Sequence, residues 1–202
     1  MLVTNSKLIG APVLSVQTGN PVGHIASSIV DPDGLKIIAF RLEGPLVDRT
    51  YDILDVSSIR EYSNFGFVID NVDELVAASD VIRIQNILEL NFDLLSLKVE
   101  TKKGTKLGHI IDFTVTSEDF ILQQIIVKRP AIKALVDPEL TISRQEIVEI
   151  TDYKVIVRDE ENIIKARAEK EDFIPNFVNP FRSQKQDFVP ADNQNLADKD
   201  TE

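Results

Sequence analysis

Gly19-Asn20-Pro21-Val22-Gly23-His24-Ile25 is echoed 85 residues later by Gly104-Thr105-Lys106-Leu107-Gly108-His109-Ile110, and this repeat constrains the chain more than any other feature. Carried forward without a gap, the same offset places Ile25 on Ile110, Val30 on Val115, Leu35 on Phe120, Ile37 on Leu122, Phe40 on Ile125, Leu42 on Val127 and Pro45 on Pro130. Apolar positions keep their character while their identities vary, as in a core retained after duplication. Further along, Ile59-Arg60-Glu61-Tyr62 meets Ile147-Val148-Glu149-Ile150 at an offset of 88, and Val68-Ile69-Asp70 meets Val157-Arg158-Asp159 at 89. Two copies of so long a period predict a duplicated domain, because solenoids use shorter units and more of them. A chain of 202 residues can bury one large core or two small ones, and the repeat predicts two.

The local signals are those of strands and turns. Leu8 to Leu14 runs into the polar turn Gln17-Thr18-Gly19-Asn20-Pro21, and Val22 to Val30 is closed by Asp31-Pro32-Asp33-Gly34, where proline fixes φ and Gly34 is expected to take positive φ. From Leu35 to Leu42 both parities carry apolar side chains, so one face is expected in the core and the other partly covered. Tyr51 to Asp55, Ser58 to Tyr62 and Phe65 to Ile69 are short β-branched or aromatic runs between polar residues. Val72 to Ala78 is expected to make one or two helical turns and Val81-Ile82-Arg83-Ile84 to be extended. In the second copy, Pro130 and Pro138 bracket a stretch expected to be a short helix.

On these residues each unit resembles a PRC-barrel domain, the small β-barrel found in the H subunit of photosynthetic reaction centres and in a bacterial ribosome maturation factor. The resemblance rests on the apolar strand before the turn, on Gly19 and Gly104, on the Gly23-His24-Ile25 and Gly108-His109-Ile110 steps, and on the two strands that follow. Where the family commonly has lysine or arginine after the second glycine, both copies here carry histidine. The resemblance implies an all-β fold of two tandem PRC-like barrels with minor helices, residues 1–71 and 92–159. The pattern reads as a connecting segment over 72–91, and i,i+4 charge spacing at Glu161, Lys165 and Glu169 followed by polar, aperiodic sequence reads as a C-terminal charged helix and flexible tail over 160–202. The resemblance also implies a non-catalytic protein-interaction or assembly module. The alternative it suggests is a ribosome-maturation or RNA-processing accessory that docks on a ribosomal protein.

Chemistry-bearing motifs are sparse. There is no Gly-x-Gly-x-x-Gly, phosphate-binding Gly-x-x-x-x-Gly-Lys or Gly-x-Ser-x-Gly element, and no cysteine, so no disulfide or thiolate site is available. His24 and His109 are the only histidines, and three readings are open for them: each ring bonded to backbone at a strand entry, a symmetric metal pair, or a pH-sensitive pair. Asp31 and Asp33 lack the later glutamate of a calcium loop and are explained by the turn. No enzyme activity, cofactor or metal is expected. The net charge of −11 divides as about −6 for residues 1–90, 0 for 91–158 and −5 for 159–202, which disfavours direct nucleic-acid binding and permits a basic protein partner. Lys102, Lys103 and Lys106 are read as a solvated hairpin loop. No stretch reaches the ~18 apolar residues of a membrane helix, and a soluble cytoplasmic protein is expected.

The tail carries a second, smaller repeat. Asp172-Phe173-Ile174-Pro175 recurs as Asp187-Phe188-Val189-Pro190, with Phe177 and Phe181 between them. Phenylalanine is unfavourable in water, so Phe173, Ile174, Pro175, Phe177, Phe181, Phe188, Val189 and Pro190 are the candidate docking residues. They would dock on the protein's own barrels or on a partner. Gly19, Gly23, His24, Gly104, Gly108 and His109 are the structural markers of the repeat.

Overall fold

The computed structural model describes residues 1–130 and 138–159. Among these residues fourteen strands form two seven-stranded sheets, and the fold is all-β. The first half contributes β2 (Pro12–Ser15), β3 (Pro21–Asp31), β4 (Lys36–Glu43), β5 (Ile53–Asp55), β6 (Glu61–Ser63), β7 (Gly66–Ile69) and β8 (Leu75–Val76), in the order β6-β7-β2-β3-β4-β5-β8. The second half contributes β9 (Lys98–Thr101), β10 (Lys106–Thr116), β11 (Leu122–Lys128), β12 (Glu139–Ser143), β13 (Ile147–Ile150) and β14 (Lys154–Val157), in the order β13-β14-β9-β10-β11-β12. Six strands of each sheet thus follow one order, each with one parallel pair: β2 with β7 and β9 with β14. The seventh strand differs. In the first sheet it is β8, against β5; in the second it is β1 (Leu2–Thr4), which pairs with β10 through Leu2–Thr116 and Thr4–Thr114. The start of the stretch assigned from sequence to the first unit therefore completes the sheet of the second.

Strand pairing refines the internal repeat. Phe67 lies opposite Val13 as Val155 lies opposite Val99, and Tyr62–Phe67 corresponds to Ile150–Val155, so the last hairpin keeps an offset of 88 and Val68 matches Ile156. The offset of 89 expected from the Val-x-Asp likeness is off by one. Side-chain parity decides this: a one-residue slip would put buried Val157 in the place of half-exposed Val68, whereas Ile69 and Val157 are both buried.

A second correction concerns the turn before β4. Gly34 does not take positive φ; Leu35 does (φ +48), and so does its repeat partner Phe120 (φ +52). A Cβ on Gly34 would meet only movable side-chain ends, Asp31 Oδ2 at 2.9 Å and Lys36 at 3.4 Å, so the turn places no strict demand for glycine there. The left-handed backbone of Leu35 and Phe120 turns their carbonyls across to the other half. Ile37 N–H donates to the Phe120 carbonyl (3.0 Å) and Leu122 N–H donates to the Leu35 carbonyl (2.8 Å), on either side of an antiparallel bridge between Lys36 and Ile121. Each bond is the image of the other under the 85-residue shift, so the halves meet about a local two-fold relation. Phe120 is 2 % exposed, and its ring packs edge-on to Phe40 (5.4 Å between centroids) and against Phe67 (6.1 Å) and Tyr62 (6.2 Å) of the first half. Most of the buried apolar residues form one continuous cluster drawn from both halves, in place of the two small cores expected. The four-residue α1 (Asn5–Leu8) adds a polar tie: the Ser6 amide and hydroxyl both donate to Asp112 of β10 (3.2 and 2.6 Å).

The segment read as extended at Val81–Ile84 is helical, as part of α2 (Ile82–Glu89). Ile84, Ile87 and Leu88 recur at helical spacing and cover the outer face of the first sheet over Ile29, Ile38, Ala39 and Ile53. This second cluster explains why β4 is apolar on both faces. The helical turns expected over Val72–Ala78 reduce to one 3₁₀ turn, Val72–Glu74, started by an Asn71 side chain that accepts from the Asp73 amide (2.7 Å). The helices expected after Pro130 and from Glu160 lie outside the described residues.

Candidate interaction surface

The repeat markers occupy equivalent places. Gly19 and Gly104 sit in the β2–β3 and β9–β10 hairpins with φ of +66 and +80, and their amides donate to Ser15 and Thr101, each at 2.9 Å. Gly23 and Gly108 are set by close approach. A Cβ on Gly23 would lie 2.6 Å from the Glu43 carbonyl oxygen, and one on Gly108 (φ +142) only 1.9 Å from that of Lys128. Glu43 and Lys128 are themselves equivalent, so the glycine before each histidine lets the neighbouring strand come near. The histidines follow by alternation: Ile25 and Ile110 point into the core, and His24 and His109 point out and are exposed.

Among the described residues neither imidazole makes the backbone hydrogen bond expected of it. The two rings lie on different sheets, His24 opposite Glu43 and His109 opposite Lys128, so the repeat does not bring them together. No group of three or more histidine, aspartate or glutamate side chains is arranged to hold a metal ion among the described residues. The candidate docking residues Phe173, Ile174, Pro175, Phe177, Phe181, Phe188, Val189 and Pro190 lie outside the described residues.

The surface that does gather functional character is the loop joining β4 to β5. On one side, Leu46, Tyr51, Val72 and Leu75 line a groove of about 350 Å³ together with Asp48 and Asp73. Leu46 is 57 %, Tyr51 50 % and Val72 39 % exposed, while Leu75 at the base is buried. The loop is held in shape locally. Asp48 accepts from the Thr50 amide (2.7 Å), and this bond, aided by the Thr50 hydroxyl, lowers the Asp48 carboxyl below its ordinary value. On the other side, a concavity of about 550 Å³ is lined by Arg41, Glu43, Val47, Arg49 and Asp52, with Arg41 Nη1 2.5 Å from Asp52 Oδ2. One loop therefore presents an apolar trough and an ion-paired hollow.

The groove was not singled out from sequence. Its apolar residues come from two segments more than twenty residues apart, and each alone looks like an ordinary exposed side chain. The one available signal is charge: residues 51–90 hold eight acidic and two basic side chains. Arg60 is paired to Asp70 and Arg83 to Asp55 (3.0 Å), while among the described residues the rim carboxylates Asp48 and Asp73 form no ion pair, Arg49 next to Asp48 lining the hollow on the other side of the loop.

No protein-family model matches the chain, and comparison with curated proteins gives no match.

Proposed function

We propose that the protein is a non-catalytic interaction or assembly module of two tandem PRC-like β-barrels, and that its β4–β5 groove receives a basic protein partner. The observation that carries the reading is the clustering of three exposed apolar side chains, Leu46, Tyr51 and Val72, in one trough flanked by Asp48 and Asp73. Apolar anchors set in a polar rim are the usual anatomy of a protein interface, and tyrosine is among the residues that dominate binding energy. The common strand order of the two halves and the sterically required Gly23 and Gly108 support the PRC-like assignment.

A second reading, an accessory of ribosome maturation docking on a ribosomal protein, draws on the same acidic rim. Carboxylates attract a basic protein and repel the phosphates around it. Affinity capture with the full chain and with its Tyr51→Ala/Val72→Ser variant tests the groove. Basic proteins are expected to be retained by the first and lost by the second, with the loss deepening as salt rises. Equal recovery by both variants would remove the groove as the binding element. Co-sedimentation with ribosomal subunits separates the two readings, and a chain ending at Asp172 measures what the Phe173 to Pro190 segment adds.

A further inference from the structure

The outer face of the second sheet carries a feature that the first sheet lacks. Lys128 of β11 lies opposite His109 of β10, His109 lies opposite Lys98 of β9, and Lys98 lies opposite Lys154 of β14. Residues paired across strands share a face, so these four side chains form one row across four adjacent strands, about 14 Å long at ~4.8 Å per strand. Lys128, His109 and Lys98 are exposed and Lys154 is half-buried. Lys154 Nζ reaches Glu100 Oε2 (3.3 Å), whereas Lys98 and Lys128 make no ion pair within the described residues; Glu139 lies opposite Lys128 at the end of the row.

Like charges placed directly opposite one another destabilise a sheet. The equivalent row of the first sheet shows that the fold does not demand it: there Glu43, His24 and Pro12 occupy the places of Lys128, His109 and Lys98. One copy of the duplication has thus concentrated positive charge on a surface where the other carries none, within a protein of net charge −11. Tyr153, 71 % exposed, adjoins the end of the row, and its carbonyl accepts from the Lys98 amide (3.4 Å).

We propose that this row binds a short acidic peptide segment of a partner protein, laid in extended form across β11, β10, β9 and β14 with an apolar side chain against Tyr153. Four to five extended residues, at ~3.3 Å each, match the row. A long nucleic acid is disfavoured because high affinity draws on many phosphate contacts, and the remainder of this chain is acidic. The surface is separate from the β4–β5 groove and does not depend on the function assigned to it.

The test uses the full chain and fluorescein-labelled octaglutamate, followed by fluorescence anisotropy at low salt. Binding that weakens steadily with added salt is expected, falling at least tenfold in Lys98→Gln/Lys128→Gln and unchanged in Lys7→Gln. Relief of like-charge crowding is expected to leave the melting midpoint of the double variant equal to or above that of the parent. A double variant that binds octaglutamate as the parent does would overturn the proposal. So would an unstructured single-stranded oligonucleotide binding more tightly than the peptide with the same sensitivity to these two lysines.

Discussion

Phe120→Ala should destabilise the whole of the described structure, although Phe120 belongs by sequence to the second repeat. Its ring is 2 % exposed among Phe40, Phe67 and Tyr62 of the first half, and truncating a buried phenylalanine costs about 3–5 kcal/mol. Against a typical stability of about 5–15 kcal/mol this is a large fraction, and at ~2–4 °C per kcal/mol it lowers the melting midpoint by roughly 10 °C. The backbone supplies a finer test. At φ +52 an L side chain carries roughly 1–2 kcal/mol of steric cost that glycine does not. Phe120→Gly should therefore be about as stable as Phe120→Ala or more so, reversing the usual penalty of ~0.5–1 kcal/mol for glycine within regular structure. Urea unfolding followed by far-UV circular dichroism and by tyrosine emission reads both effects, since the chain has three tyrosines and no tryptophan. Tyr51 and Tyr62 lie in the first half and Tyr153 in the second, so a Tyr153→Phe background leaves emission from the first half alone and the difference gives Tyr153. Two separate transitions in the parent, or a Phe120→Ala effect seen by Tyr153 alone, would refute a shared core.

Gly108→Ala should be far more damaging than Gly104→Ala: the first puts a Cβ 1.9 Å from the Lys128 carbonyl oxygen, the second meets nothing within 4 Å and carries only the left-handed backbone cost of about 1 kcal/mol. Parallel thermal melts give the ranking, and equal midpoints would contradict it. Asp119 has its carboxyl lowered chiefly by the Thr116 hydroxyl and also by the Ile121 amide, so its contribution is present above the ordinary carboxyl range and lost as pH falls through the lowered value. Asp119→Ala should accordingly melt below the parent at pH 7, with the gap closing as pH falls below the ordinary carboxyl range; a gap constant with pH would place its cause elsewhere. In α2, Ile84→Ala should cost about 2–5 kcal/mol because Ile84 is fully buried over the first sheet, while Ile82→Ala, 75 % exposed, should shift denaturation by less than ~0.5 kcal/mol.

The paired strands were legible because their signal is dense. β3 and β10 each span eleven residues at the 85-residue offset, and the glycine-histidine step marks their register. The last hairpin was misread by one position because Val68, Ile69 and Val157 are interchangeable as letters and differ only in the face they present. Val81–Ile84 looked extended because three of its four residues are β-branched; the helical period shows only once Ile87 and Leu88 are counted with Ile84. The meeting of the halves left no trace in the pattern, since positive φ at Leu35 and Phe120 falls on residues that carry no turn signal, with Gly34 beside one of them as a decoy. The candidate surfaces were hidden for another reason. The groove joins Leu46 and Tyr51 to Val72 and Leu75, and the cationic row joins Lys98, His109, Lys128 and Lys154, so each exists only after strand register has brought distant residues together.

Because Leu2 pairs with Thr116, β1 has no site to occupy until 114 further residues have left the ribosome. At ~5–20 residues per second that is a wait of roughly 6–23 s, long compared with the microseconds a hairpin needs to form. The sheet built from β2 to β8 can assemble in that interval, yet its own leading segment must stay loose beside it. During synthesis β1 is therefore placed only once β10 has emerged, and until then Leu2, Val3 and the α1 residues behind them form an unpaired apolar segment that a chaperone could hold.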